Sequence, residues 1–222
     1  MWVKICGVQT MKAALAAVEA GADAVGFVFA PSRRLVTPDR AESLVFGMPE
    51  SVARVGVFVD AAPAELGHVA RQVGLTHLQL HGAEPPELLD ELALPVIKAF
   101  RVSDAAGLER LPLYRRAAGI LLDPFVPGQA GGTGQRLDAV LFRQAEAILL
   151  AAGVPLAGPA EPLTPGRPKL ILAGGLTPEN LCAAIAAAQP GGVDVSSGVE
   201  LDGVKDIAKI YSFVGLAKGG CK

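Results

Sequence analysis

Apolar residues in this chain recur in short runs rich in β-branched and aromatic side chains. Each run is followed by a turn signal and then by helical spacing. The runs are WVKIC (2–6), AVGFVF (24–29), RVGVFV (54–59), THLQLH (76–81), PVIKAF (95–100), GILLD (119–123), KLILA (169–173) and VDVSS (193–197). Most are almost continuously apolar, as strands covered on both faces must be. Between them, Thr10 precedes a stripe of Met11, Leu15 and Val18 that Gly21 stops, and Leu66, Val69, Ala70 and Val73 keep helical spacing up to Gly74. Asp138 caps a run to about Ala152, Thr177 and Pro178 open a further helix, and Ile207, Ile210, Tyr211 and Val214 stripe the last one. Eight strand–helix units in 222 residues predict an α/β fold, a single (β/α)8 TIM barrel of eight parallel strands that spans 1–222 as one domain. An open doubly wound sheet competes less well, because ICGVQT is not the Gly-rich first turn that its dinucleotide-binding version needs. The Pro- and Gly-rich stretch 153–168 reads as a surface excursion between the sixth helix and the seventh strand.

Composition narrows the partners. With 51% apolar and 19% charged residues the chain is built to bury a core. Lys+Arg 20 against Asp+Glu 22 leaves no basic field of the kind that counterion release needs, so no nucleic acid is expected. No window approaches a spanning apolar length and the N-terminus lacks a signal-like apolar region, so no membrane partner is expected either. Cys6, Cys182 and Cys221 are odd in number and widely spaced, which fits neither a disulfide framework nor a zinc cluster. A reducing cytoplasm, no metal, and no chemistry for Cys182 or Cys221 are the corresponding expectations.

Strand alternation sorts the polar residues. Lys4 and Cys6 share one face of the first strand, Gln79 and His81 of the fourth, Asp194 and Ser196 of the eighth, and Lys98 and Asp123 complete an inward-facing set. Several lie near C-terminal strand ends, where barrel active sites are built. Gly174 and Gly175 follow strand seven, and Ser196, Ser197 and Gly198 end strand eight. These small residues let backbone N–H groups approach an anion, which predicts a phosphate site. PFVPGQAGGTGQ (124–135) follows Asp123 and reads as a lid. These features leave two competitors open: a sugar-phosphate enzyme with Lys98 as a Schiff-base amine, and a non-catalytic binder such as a flavin phosphate module.

KICG (4–7), GADAVGFVF (21–29), SRRLVTP (32–38), VGVFVD (55–60), LQLHG (78–82), LLDP (121–124), GGTG (131–134), LAGGLTPEN (172–180) and VDVSSGVE (193–200) together resemble the N-(5'-phosphoribosyl)anthranilate isomerase family, in order and over nearly the whole chain. The resemblance implies a cofactor-free Amadori rearrangement in tryptophan biosynthesis, an aldose amine becoming a ketose amine, with a phosphorylated small molecule as substrate. It implies Cys6 as general base and Asp123 as general acid, with Lys4 available to draw the Cys6 thiol down. It further implies Arg34 as the partner of the anthranilate carboxylate and Gly174, Gly175, Ser196, Ser197 and Gly198 as the phosphate site. Gln79, His81 and Asp194 line the pocket. Ala139 after Asp138 and the length of 153–168 depart from the family pattern. Monomer and homodimer both stay open.

Overall fold

Eight parallel strands, β1 (Trp2–Cys6), β2 (Ala24–Val28), β3 (Ala53–Phe58), β4 (His77–Leu80), β5 (Val96–Val102), β6 (Gly119–Pro124), β7 (Lys169–Leu172) and β8 (Gly192–Val195), hydrogen-bond in sequence order and close on themselves. The computed structural model describes residues 1–125 and 136–221. Closure joins β8 to β1 with Lys4 opposite Asp194, so the first and last strands bring residues 190 positions apart into one register. Observed strands lie within a residue or two of the apolar runs.

Among the described residues the helices are α1 (Met11–Glu19), α2 (Pro38–Val45), α3 (Pro63–Val73), α4 (Ala139–Ala151), α5 (Leu181–Ala188) and α6 (Ile207–Gly215). Thr10, Thr37, Asp138 and Asp206 cap their first turns, and Gly74 ends α3 in the left-handed conformation that favours glycine. After β4 and β5 the chain makes only short tight helical turns, at Pro86–Asp90, Ala105–Leu108 and Leu111–Tyr114. Two of the eight units therefore lack a full helix. The helix expected from Pro178 begins at Leu181 instead. The N–H groups of Asn180 and Leu181 both return to the Thr177 carbonyl, and this turn occupies the intervening residues.

The α3 stripe is buried as its spacing predicts, but the α1 stripe is not. Ala13, Ala14, Ala16 and Ala17 face the barrel while Met11 and Leu15 are exposed. The outward Val3, Ile5, Val25 and Phe27 already fill the layer beneath, and only a face of small residues lets the helix lie close upon them. In α6, Ile210, Phe213 and Val214 are buried, whereas Tyr211 turns outward to hydrogen-bond Glu19.

A second, smaller core fills the barrel: Trp2, Ala24, Val55, Ile97, Ala99, Leu121, Ile171 and Ala173. Leu163 packs against it, so 153–168 is no mere surface excursion. It folds beneath the N-terminal end, where Gly119 leaves room for Leu163 and the buried Lys169 ammonium donates to the Gly158 carbonyl.

The cysteine expectation is corrected. Cys182 in α5 and Cys221 beyond α6 form a disulfide, with Cα atoms 5.0 Å apart and a separation of 39 positions in sequence. Closure of the barrel brings α5 beside the chain that follows α6, a proximity that spacing in the sequence conceals. With two of the three cysteines paired, cysteine usage no longer points to a reducing compartment. Cys6 alone is free among the described residues. No described helix is long and apolar enough to cross a membrane.

Candidate active site

The C-terminal strand ends surround a cavity of about 370 Å³. β1 contributes Cys6, β4 Gln79 with His81 just beyond, β5 Arg101, β6 Asp123 and β8 Asp194, each from an inward position of the alternation. Loops add Arg34 after β2, Gly174 and Gly175 after β7, and Ser196, Ser197 and Gly198 after β8. All eleven residues assigned from the sequence thus border one space. Most of the expected lid, from residue 126 to 135, lies outside the described residues, as does the GGTG segment.

Lys98 does not join them. The inward residues of β5 are Ile97, Ala99 and Arg101, so Lys98 points to the helix layer. Its ammonium donates to the Glu84 carboxylate at 3.0 Å and to the carbonyls of Leu80, Gly82 and Ala99, below the rings of Phe100 and Tyr114. Lys98 reads as inward because it is the one polar residue in an apolar run. A pocket of carbonyls and a carboxylate satisfies it on the outer face instead. Arg101, which the sequence reading missed, follows from the same phase once β5 extends to Val102.

The titratable groups are tuned by burial and by one another. Lys4 is fully buried, donates to Asp194 Oδ1 at 2.8 Å and lies within interaction reach of Cys6. Burial disfavours its charge, yet Asp194 and Cys6 hold it above the ordinary lysine range. Burial pushes the Cys6 thiol up, and the opposing pull of Lys4 does not overcome it. The expectation that Lys4 depresses the thiol is therefore corrected: Asp194 already claims the ammonium and itself disfavours a thiolate. Asp123 is pushed up to about 6, by burial first and by Asp194 second. His81 is pushed down to about 3 by burial and by Arg101, Lys98 and Lys4, so its imidazole is neutral at physiological pH. Its Nε2 stands 3.8 Å from Asp123 Oδ2, beyond hydrogen-bond length. His81 Nε2 and Gln79 Oε1 are buried and find no hydrogen-bond partner among the described residues. Two such atoms facing a cavity mark where a polar ligand would complete the bonding.

Opposite these groups the loops after β7 and β8 meet backbone to backbone. A Cβ on Gly198 would collide with the Leu176 carbonyl. Gly174, at φ +84, leaves room for Pro124 and for the Asp123 carboxylate that a side chain would strike. Asn180 pins the first loop, accepting from the Thr177 N–H at 2.9 Å and donating to the Gly175 carbonyl at 2.8 Å. Ser196 pins the second, its hydroxyl donating to the Cys6 carbonyl at 3.0 Å. Beside them Arg34 is buried and paired through Nε and Nη2 with the Glu200 carboxylate at 2.6 and 2.9 Å. Glu200 and its second partner Lys205 were not assigned from the sequence. The only signal for Glu200 is its place at the end of VDVSSGVE.

The profile of the family described as N-(5'phosphoribosyl)anthranilate (PRA) isomerase matches residues 3–215. The chain belongs to this family. It is accordingly an isomerase enzyme of tryptophan biosynthesis. An N-(5'-phosphoribosyl)anthranilate isomerase of Symbiobacterium thermophilum is 67% identical over 219 residues, covering 99% of each chain. Among solved structures, a phosphoribosyl anthranilate isomerase from Thermotoga maritima superposes with a TM-score of 0.83 at 40% identity, again over 99% of both chains. Another, at TM-score 0.80, 40% identity and 99% coverage of both chains, holds reduced 1-(o-carboxyphenylamino)-1-deoxyribulose 5-phosphate.

Proposed function

We propose that the cavity isomerises N-(5'-phosphoribosyl)anthranilate to 1-(2-carboxyphenylamino)-1-deoxyribulose 5-phosphate with Asp123 as general acid and Cys6 as general base. The observation that carries this reading is a buried thiol and a buried carboxyl, Cys6 and Asp123, lining one cavity together with Arg34 and the Gly174–Gly175 and Ser196–Gly198 loops. The phosphate is held by N–H groups of the Gly174–Gly175 and Ser196–Gly198 loops, and the anthranilate carboxylate by Arg34. Holding both anionic groups of the substrate fixes the ribose between Asp123 and Cys6.

Asp123 gives its proton to the furanose ring oxygen. The C1'–O bond breaks and the amine lone pair forms the C1'=N bond of a protonated Schiff base. Cys6, as thiolate, takes the C2' proton, and the C–H electron pair forms a C1'=C2' enolamine while the iminium electrons return to nitrogen. Ketonisation then returns the proton held by Cys6 to C1' while the C2' hydroxyl gives up its proton, which passes to Asp123, so the carbonyl forms at C2' and both groups regain their starting states. Lys4 supports the transient thiolate electrostatically, and neutral His81 with Gln79 supplies hydrogen bonds to ribose hydroxyls. No step calls for a cofactor. We extend a cytoplasmic location to this chain, a compartment that would retain a phosphate ester too polar to cross a lipid bilayer. A Thermotoga maritima relative is described as dimeric, and we extend a homodimer to this chain, to be checked by sedimentation equilibrium.

The test is turnover of substrate generated in situ, following the aminoketose by chromatography. Wild type should turn over, while Cys6→Ala and Asp123→Asn should each fall by roughly 10²–10⁴-fold, the range for a general acid or base. A Cys6→Ala variant retaining wild-type rate would remove Cys6 as the base.

A further inference from the structure

We propose that Glu200 is a positioning residue that holds Arg34 in the attitude needed to select a carboxylate-bearing aromatic ring, with Lys205 holding Glu200 in turn. This rests on the reading of Arg34 given above. Glu200 and Lys205 face one another in a two-stranded hairpin, β9 (Glu200–Leu201) and β10 (Val204–Lys205), that follows the β8 loop. The Glu200 side chain is buried and accepts four charged hydrogen bonds. Oε1 receives Arg34 Nε at 2.6 Å and Lys205 Nζ at 2.8 Å, and Oε2 receives Arg34 Nη2 and Arg33 Nη2, each at 2.9 Å. Two parallel bonds fix the plane of a guanidinium as well as its place, and they leave Nη1 as the nitrogen that Glu200 does not engage. Burial disfavours a charged Glu200, yet the bonds from Arg34 and Lys205 hold its carboxyl below the usual range, so it stays ionised.

The other side of Arg34 is closed by Gly7, at φ +73, where a Cβ would collide with the Arg34 Cδ. Lys205 also reaches the neighbouring β8 loop, donating to the Ser196 carbonyl at 2.8 Å and to its hydroxyl at 3.2 Å. These two bonds seat Lys205 on the serine loop, so Glu200 has a fixed cation beside it from which to orient Arg34. Neither Glu200 nor Lys205 lines the cavity, so both act through residues that do. A free arginine side chain loses rotamer freedom on being fixed, and pre-positioning removes that cost from binding. Without Glu200, Arg33, Arg34 and Lys205 converge with no anion between them, and repulsion drives Arg34 out of its attitude.

The experiment measures kcat/KM for N-(5'-phosphoribosyl)anthranilate and for N-(5'-phosphoribosyl)aniline, which lacks the carboxylate, in wild type, Arg34→Ala, Glu200→Gln and Glu200→Asp. Arg34→Ala should abolish most of the preference for the carboxylated substrate. Glu200→Gln should lower that preference by about tenfold, the loss of roughly one charged hydrogen bond. The change should lie in KM for the carboxylated substrate, with the aniline analogue kept within about twofold. Glu200→Asp, one methylene shorter but charged, should recover part of the preference, and it reads the same ratio if Glu200→Gln does not fold. Equal loss on both substrates in the Glu200 variants would assign the residue a purely structural role and overturn the proposal, as would unchanged preference beside a collapsed Arg34→Ala. Preference surviving Arg34→Ala would overturn the reading of Arg34 itself, a separate and recognisable result.

Discussion

Asp123 carries a cost that its chemistry explains. A carboxyl raised from 3.8 to about 6 is more easily protonated folded than unfolded, so its favourable contribution is complete below about pH 4 and is lost as pH rises through about 6. At about 1.4 kcal/mol for each tenfold change in proton affinity, ionising it costs the native state on the order of 2–3 kcal/mol. Asp123→Asn should therefore raise the stability found by urea denaturation by about that much at pH 8 and leave it unchanged at pH 4, while turnover falls. Equal stability at pH 8 would show that the carboxyl is not strained by its site. The partner group has the opposite problem. Burial holds the Cys6 thiol above its ordinary range, so the pair in the proposed working form, protonated Asp123 with Cys6 thiolate, is a minority at every pH. The kcat/KM profile should rise to about pH 6, run flat, and fall only above the ordinary thiol range. In Asp123→Asn the break near 6 should vanish from whatever residual rate remains. A wild-type profile without that break would detach Asp123 from the chemistry.

At the scale of elements, the proposed phosphate corner depends on two loops touching through glycine. Because a Cβ on Gly198 would strike the Leu176 carbonyl, Gly198→Ala should push the β7 and β8 loops apart. The expected result is a KM raised by about tenfold or more and a stability loss of about 1–3 kcal/mol, the usual cost of overpacking, read by steady-state kinetics and denaturation together. An unchanged KM would remove the β8 loop from phosphate binding. These loops were legible in the sequence because turn chemistry is local, and although a double glycine serves any tight turn, small residues after both the seventh and eighth strands mark loops where backbone can approach closely. The phase of β5 was not legible. Alternation gives parity only relative to a known inward residue, and in PVIKAF the one polar side chain misled, since Lys98 finds Glu84 and three carbonyls on the outer face. The α1 stripe misled similarly, because hydrophobic size marks a buried face only where the space beneath can take a large side chain.

For the whole molecule, the Cys182–Cys221 disulfide ties α5 to the chain beyond α6, beside the seam where β8 meets β1. Closing a loop of this length removes roughly 4 kcal/mol of unfolded-chain entropy on the simplest estimate. Reduction, or Cys221→Ser, should lower the melting temperature by about 10 °C for a chain of this size. Turnover at 25 °C should persist, because neither cysteine borders the cavity. Identical melting with and without reductant would show that the bridge contributes nothing to stability.

What the sequence determined by itself was the alternation of elements, the barrel, the inward sets on β1, β4 and β8, and the glycine and serine loops. All of these follow from periodicity and turn preference within ten or so residues. What only the tertiary structure decided were the pairings across the closed ring: Lys4 with Asp194, Arg34 with Glu200, and Cys182 with Cys221, separated by 190, 166 and 39 positions. Burial depth belongs to the same class, and it is burial that lifts both Cys6 and Asp123. Local pattern fixes which face of an element is apolar. Which charge meets which, and how far both lie from water, depends on closure of the whole barrel.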